Sequence, residues 1–198
     1  LFPKHKYCIN LGGFANISIK KNNEIIAFDI CPANIVLNNI CKELGIEYDY
    51  NGDISREGKI IPTLLQQLNQ LDFYIKKAPK SLGREWVEEH ISPILKNHKP
   101  ESLLCTFCEH IAIQIGKFAA DESALFTGGG VFNSYLMERI TFHSKAKILL
   151  PNKELIEFKE SLIFAFIGVL KIRGEVNCLK TVTGADIDNC GGIIHFSS

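Results

Sequence analysis

Residues 7–20 read Tyr7-Cys8-Ile9-Asn10-Leu11-Gly12-Gly13-Phe14-Ala15-Asn16-Ile17-Ser18-Ile19-Lys20. Ala15, Ile17 and Ile19 alternate with Asn16, Ser18 and Lys20, the period of a half-buried strand. Tyr7 to Leu11 predicts a strand before it, and the two join tightly at Gly12-Gly13. Lys21-Asn22-Asn23 is a turn, and Ile25 to Phe28 predicts a returning third strand.

Beyond this meander the period changes. Pro32 opens a helix whose apolar positions are Val36, Leu37, Ile40, Cys41 and Leu44, and Gly45 stands at its expected C-terminal cap. Residues 46–58 read as a polar loop, 60–70 as a helix, 72–84 as irregular, 85–96 as a shorter helix and 102–120 as a long one. Ala124 to Thr127 predicts a short strand ending in Gly128-Gly129-Gly130, and a helix begins near Asn133. Residues 146–150 predict another strand. The helix over 154–172 is apolar on all sides from Leu162 to Leu170, which predicts deep burial. Ile193 to Phe196 predicts a closing strand. Strands first, then helices and strands in alternation, argue an α/β fold: a mixed sheet covered by helices, as in a ribonuclease-H-like unit.

Bulk properties narrow the function. The 198 residues, 46% apolar and 22% charged, suit a soluble globular domain with a sizeable core. Formal net charge is zero, so nothing points to nucleic acid as a partner. The longest apolar run, Leu162 to Leu170, is too short to span a bilayer. The charged start, Leu1 to Lys6, has no secretory character, and a first residue other than Met reads as that of a fragment. Seven scattered cysteines, an odd number, suit reduced thiols and a cytoplasmic location. Cys105 and Cys108 form a C-x-x-C without a second ligand pair, inside an apolar helical pattern, and read as buried small hydrophobes. The six histidines show no ligand spacing and read as structural or surface residues.

Several residues carry possible chemistry. Gly12-Gly13 allows close approach of backbone N–H groups to a phosphate, and equally makes a plain hairpin turn. Gly128, Gly129 and Gly130 stand at a strand's end ahead of a helix, where α/β proteins bind ligands, and leave room for an adenine or ribose, and equally make a simple turn. Asn133 is placed to cap that helix or to bond the ligand. Asp29, read as the end of the third strand, suits Mg²⁺ through water, a sugar hydroxyl, or a simple turn. The polar knot Lys80, Ser81, Gly83, Arg84, Glu85 suits a ligand contact or a helix N-terminus. Glu160 precedes the apolar run and is either solvated or aimed into a cleft.

Read in order with their flanks, these blocks resemble the anhydro-N-acetylmuramic acid kinase family, of the sugar kinase, actin and heat-shock ATPase superfamily. Ile9 to Ser18 resembles its second phosphate-binding hairpin, and Ala27 to Asn38 its F-D-T-G-P-G-N stretch. Tyr48-Asp49 with Asn51-Gly52 is similar to Y-D-x-x-G, and Ala78 to Glu85 to P-P-K-S-x-G-R-E. Thr127 to Met137 resembles the glycine-rich adenosine motif, Glu160 to Phe166 the E-A-x-A-F-A helix, and Val182 to Ala185 is V-T-G-A. One departure stands out: Cys31-Pro32-Ala33-Asn34 replaces G-P-G-N.

The resemblance implies one lobe of an actin-like ATPase fold over residues 1–198, with ATP and Mg²⁺ as cofactors and a sugar as substrate. Gly12, Gly13 and Asn16 would cradle the phosphates. Gly128, Gly129, Gly130 and Asn133 would line the adenosine pocket. Asp29, Asn34 and Glu160 would meet the sugar. The implied reaction couples hydrolysis of the 1,6-anhydro bond to phosphorylation of O6, as part of cell-wall recycling. It also implies that the first phosphate motif and a catalytic aspartate lie in an N-terminal lobe outside these residues, that this chain alone lacks turnover, and that the whole protein forms a homodimer. Two other readings fit the residues: another carbohydrate kinase of the superfamily, or a non-catalytic nucleotide-binding module.

Overall fold

A computed structural model describes residues 1–22, 24–118 and 122–195. Five strands form one sheet: β1 (Tyr7–Leu11), β2 (Phe14–Lys21), β3 (Glu24–Pro32), β4 (Ser123–Thr127) and β5 (Lys147–Leu149). Their order is β3-β2-β1-β4-β5. β1 pairs antiparallel with β2, and β2 with β3, while β1–β4 and β4–β5 are parallel. The meander read from residues 7–28 is therefore present, and the later strands enter beside β1, not beside β3. One difference in the strand ends moves a candidate site residue. β3 runs on to Pro32, so Asp29 lies inside the strand and not at its end.

Eight α-helical segments surround the sheet: α1 (Asn34–Glu43), α2 (Asp53–Glu57), α3 (Pro62–Asn69), α4 (Arg84–Trp86), α5 (Pro100–Gly116), α6 (Ser134–His143), α7 (Lys153–Ile172) and α8 (Lys180–Thr183). α1 ends as its sequence predicts, with Gly45 at φ 75° just beyond the C-cap. The stretch read as a loop over 46–58 contains a 3₁₀ turn (Tyr50–Gly52) and α2. The reason is Asp49, whose buried carboxylate accepts from the Ile54 N–H (2.9 Å), the Ser55 N–H (2.9 Å) and the Ser55 hydroxyl (2.6 Å). One acidic side chain satisfies the orphan donors of a short helix that periodicity cannot show.

Pleating gives the sheet two unlike faces. Tyr7, Ile9, Leu11, Ala15, Ile17, Ala124 and Phe126 are buried on one, against Val36, Leu37 and Ile40 of α1 and Leu104, Phe107 and Ile111 of α5. α5 is buried along almost its whole length, including Cys105 and Cys108, which are free thiols. Its buried polar side chains, Thr106, Glu109, His110 and Gln114, are all engaged. Glu109 accepts two bonds from Arg139 and one from His143 of α6. Burial alone would raise the Glu109 carboxyl, but these partners outweigh it and hold the group below its usual range.

His110 is fully buried, with Nδ1 donating to the Asn69 carbonyl oxygen (2.8 Å) and Nε2 accepting from the Tyr74 hydroxyl (2.8 Å). That pattern needs the neutral ring, and burial, aided by the Lys117 charge, pushes its pKa down to about 3. The unfolded chain binds this proton near pH 6.5, so stability is complete above that value and falls as pH drops toward 3. The loss is on the order of 4–5 kcal/mol for a shift of this size. Urea unfolding followed across this range is expected to show that slope, and His110→Gln to remove it. A parent protein equally stable at pH 6.5 and 4 would contradict the assignment.

Two expectations fail. α7 was expected to be deeply buried, yet Phe158 (64% exposed), Phe164 (71%) and Ile172 (76%) are open, and only Lys159 is buried. One stripe of the helix, Ile156, Lys159, Ile163, Ile167 and Leu170, is sheltered, with Lys159 reaching the second face of the sheet at Asn10 and Thr127, and the other side is exposed. No helix among the described residues is long and apolar enough to cross a membrane. The closing strand over 193–196 is also missing: Ile193 to His195 are irregular, and Phe196 lies outside the described residues. A strand needs a free edge to pair with. The edge of β3 is taken by the Asp29 N–H bond to the Lys80 carbonyl (3.1 Å) and by Thr181, whose hydroxyl donates to the Ile25 carbonyl (2.5 Å).

Candidate functional site: a two-bend cleft

Asn10 and Thr127 are register partners on the parallel strands β1 and β4. The chain therefore leaves the sheet at one level on both, first through Gly12-Gly13 and then through Gly128 to Gly130. The second bend packs against the end of β1, just ahead of the first, because it lacks side chains. A Cβ on Gly128 would lie 2.7 Å from Asn10 Oδ1 and 2.7 Å from the Leu11 carbonyl oxygen. One on Gly130 would lie 2.8 Å from the Leu11 Cβ. Gly129 is open, with nothing within 4 Å of that position.

Asn34, at the start of α1, ties the first bend to that helix. Its side-chain amide donates to the Leu11 carbonyl (3.3 Å) and its N–H to the Gly12 carbonyl (3.1 Å). The Ala33 and Ile35 N–H groups donate to the Gly13 carbonyl at 2.8 and 3.1 Å. The first bend thus caps α1 with its own carbonyls. Because a trans peptide sets N–H and C=O on opposite sides, the Gly13 N–H faces away from α1. Cys31 and Ala33 are fully buried in the core. Their extra Cβ atoms, relative to G-P-G-N, are absorbed by packing and do not fill the bend.

The second face of the sheet is mixed, with apolar Ile25 and Leu125 beside polar side chains near the strand ends. Asn10, Asn16, Ser18, Thr127 and Lys159 line a cavity of about 460 Å³ between the sheet and α7. Asp29 pairs with Asn16 across β2 and β3, so the two side chains share this face. A register shift between Ala15 and Asn16 skips Ile30 and sets that pairing. Asp29 Oδ2 accepts from the Leu82 N–H (2.8 Å). Burial pushes its carboxyl above the ordinary value, a rise that the Leu82 bond partly offsets.

The polar knot has a structural task here. The Lys80 ammonium donates to the Phe73 carbonyl (3.1 Å) and lies 4.4 Å from the centre of the Phe73 ring. That anchor delivers the Lys80 carbonyl and the Leu82 N–H to Asp29. Asn133 caps α6, its Oδ1 accepting from the Leu136 N–H (2.9 Å), and packs on Gly52. Glu160 is exposed on α7 and does not line the cavity.

The structure therefore brings Gly12, Gly13, Asn16, Asp29, Asn34 and Gly128 to Gly130 around one strand end, uses Asn133 as a cap, and leaves Glu160 at the solvent side. Three residues went unread: Asn10, Thr127 and Lys159. Each had a signal. Asn10 and Thr127 are the last polar-face residues before the glycines, and Lys159 interrupts an otherwise apolar stripe.

A mixed sheet in the order β3-β2-β1-β4-β5, with two bare bends meeting at its parallel strand ends, is one lobe of an actin-like ATPase fold. Two solved structures share it. One is the activator of the 2-hydroxyisocaproyl-CoA dehydratase from Clostridium difficile with bound ADPNP, at TM-score 0.50 and 15% identity over 88% of this chain and 65% of that one. The other is component A of the (R)-2-hydroxyglutaryl-CoA dehydratase of Acidaminococcus fermentans, at TM-score 0.51 and 14% identity over 81% and 60%.

Within that class, the chain belongs to the anhydro-N-acetylmuramic acid kinase family, whose model matches residues 3–197. It is 32% identical over 209 residues to the anhydro-N-acetylmuramic acid kinase of Aliivibrio fischeri, covering 94% of this chain and 55% of that protein. It is 31% identical to the same enzyme of Pseudomonas fluorescens, covering 89% and 53%. The chain spans about half the length of the curated relatives it matches.

Proposed function

We propose that this chain is the nucleotide-binding lobe of an ATP-dependent kinase that converts 1,6-anhydro-N-acetylmuramic acid and water into N-acetylmuramic acid 6-phosphate. The observation that carries the reading is the close approach of the second glycine bend to Asn10 and Leu11, the residues that lead into the first, where any side chain on Gly128 or Gly130 would collide. Backbone N–H groups at such a junction suit a polyphosphate. Gly12, Gly13 and Asn16 bind the phosphates in this reading, and Gly128, Gly129 and Gly130 take the adenosine, with Asn133 holding the helix behind them. Asp29 and Asn34 serve the sugar, and Glu160 reaches it only from the exposed side of α7, which a second lobe would face.

Asp29 suits more than sugar binding. A half-buried carboxylate with a raised pKa is fitted to take a proton. Its Oδ1, the oxygen that the Leu82 N–H does not bond, accepts the proton of the water that attacks C1, which frees O6 for the γ-phosphate. The base, which the sequence resemblance located in another lobe, is in this reading supplied by this chain. The neutral oxygens of Asn16 and Ser18 beside the cavity fit a Mg²⁺ ion held mainly through phosphate and water, and that ion would spread the phosphate charge. A second lobe, matching the other half of the relatives' length, completes the cleft, and the whole protein works as a cytoplasmic homodimer in cell-wall recycling.

The test is an assay of the full-length protein with ATP and the anhydro sugar in isotopically labelled water. One ADP and one labelled sugar 6-phosphate per turnover are expected, with none from the 198-residue chain alone. Phosphorylation of N-acetylglucosamine without water uptake would identify another carbohydrate kinase, and nucleotide binding without transfer would identify a binding module.

A further inference from the structure

Lys159 is the one buried residue of α7, at 9% exposure. Its ammonium faces the sheet, donating to the Thr127 hydroxyl (2.8 Å) and to Asn10 Oδ1. Asn10 is the side chain against which both bends rest. Its Oδ1 lies beside Gly128, and its Nδ2 would be 3.1 Å from a Cβ on Gly12. The ammonium therefore stands where the two bends meet, at the wall of the 460 Å³ cavity.

Its bonding is incomplete in charge. An ammonium has three donors and no acceptor. Two of them meet neutral oxygens, and among the described residues no carboxylate forms an ion pair with it. Burial lowers its pKa, an effect that the nearby charge of Glu160 only partly offsets. A buried cation without an anion is costly, and an arriving anion relieves the cost. Among apolar side chains the cavity wall carries the hydrogen-bonding groups of Asn10, Asn16, Ser18 and Thr127 and two more cations, Lys20 and Lys6, the latter paired with Glu122.

We infer that Lys159 is the counter-charge for the nucleotide's polyphosphate, its free N–H donating to a non-bridging phosphate oxygen while Asn10 and Thr127 hold the ammonium in place. The inference rests on the nucleotide reading of the two bends. It adds a cation from a helix packed on the opposite side of the cavity, so that α7 and the sheet grip the same anion.

The experiment compares binding of ATP, ADP and adenosine to the full-length protein and to its Lys159→Met and Lys159→Arg variants by calorimetry. A lost charge-assisted bond corresponds to roughly a 10–100-fold weaker ATP affinity for Lys159→Met, with adenosine within about twofold of the parent. Lys159→Arg, which keeps the charge, is expected to restore most of the ATP affinity. Equal losses for ATP and adenosine would make Lys159 a structural prop and overturn the inference. Unchanged ATP binding in Lys159→Met would overturn it too, while leaving the kinase reading intact. A parent protein that binds no adenine nucleotide would defeat both. Should Lys159→Met fail to fold, the parent's own pH profile decides. ATP affinity, but not adenosine affinity, is expected to fall as pH rises toward the ordinary lysine value of 10.5 and the ammonium discharges, and a flat profile would refute the role.

Discussion

Replacing Asp29 by Asn in the full-length protein is expected to lower kcat by roughly 10²–10⁴-fold, the usual worth of a positioned general base, with ATP affinity held within about threefold. The amide keeps the shape of the carboxylate and still accepts from the Leu82 N–H, which now sits 2.8 Å from Asp29 Oδ2. Strand β3 and the 80–82 segment should therefore stay in place. What is lost is the ability to take a proton. Sign and pH window follow from the same geometry. Asp29 works deprotonated, and burial raises its pKa above 3.8. The rate should thus climb through a value above the ordinary aspartate range, and Asp29→Asn should erase that limb. Steady-state kinetics against pH measure both. A variant with near-parent kcat would remove Asp29 from the chemistry.

The second large effect belongs to Gly128. Its φ of 86° and ψ of 160° lie in a region that only glycine occupies without strain. An added Cβ would also meet the Leu11 backbone at 2.7–2.8 Å. Gly128→Ala is expected to cost about 3 kcal/mol of stability, strain and overlap together, and to weaken ATP binding more than tenfold by prising β1 from β4. Gly130→Ala meets Leu11 and Asn34 at 2.8–3.1 Å without a left-handed backbone and should cost less. Gly129→Ala meets nothing and should be close to neutral. Denaturant unfolding with nucleotide titration of the three variants tests that ranking. Equal behaviour of the three would show that the bends do not depend on bare backbone.

The same three glycines illustrate how far the sequence reaches. A run of Gly128, Gly129 and Gly130 after a strand is legible as a ligand-binding turn, but the residues are alike on paper. Only the parallel pairing of β1 with β4, whose register partners lie 117 residues apart along the chain, decides that Gly128 and Gly130 press on Leu11 while Gly129 stays open. The long-range register also moved Asp29. Its position inside β3, opposite Asn16, depends on a register shift that no local pattern announces.

α7 was misread for a related reason. Its run from Leu162 to Leu170 has the composition of a buried helix, yet burial depends on what is packed against it, and here only one stripe is sheltered. Lys159 sits in that stripe because a long stem can cross apolar surface and present its ammonium to Asn10 and Thr127. Glu160, one residue on, turns to the solvent side for want of 100° of helix rotation.

By itself the sequence determined what local chemistry controls: the alternation that makes a meander, the helical spacing of α1 and α5, and the glycine bends whose order marks the family. Tertiary structure alone decided which bends share a strand end, which carboxylate is buried beside them, and which charge of α7 faces inward. Those outcomes depend on strand register and on helix azimuth against the sheet, quantities set by contacts between residues far apart along the chain.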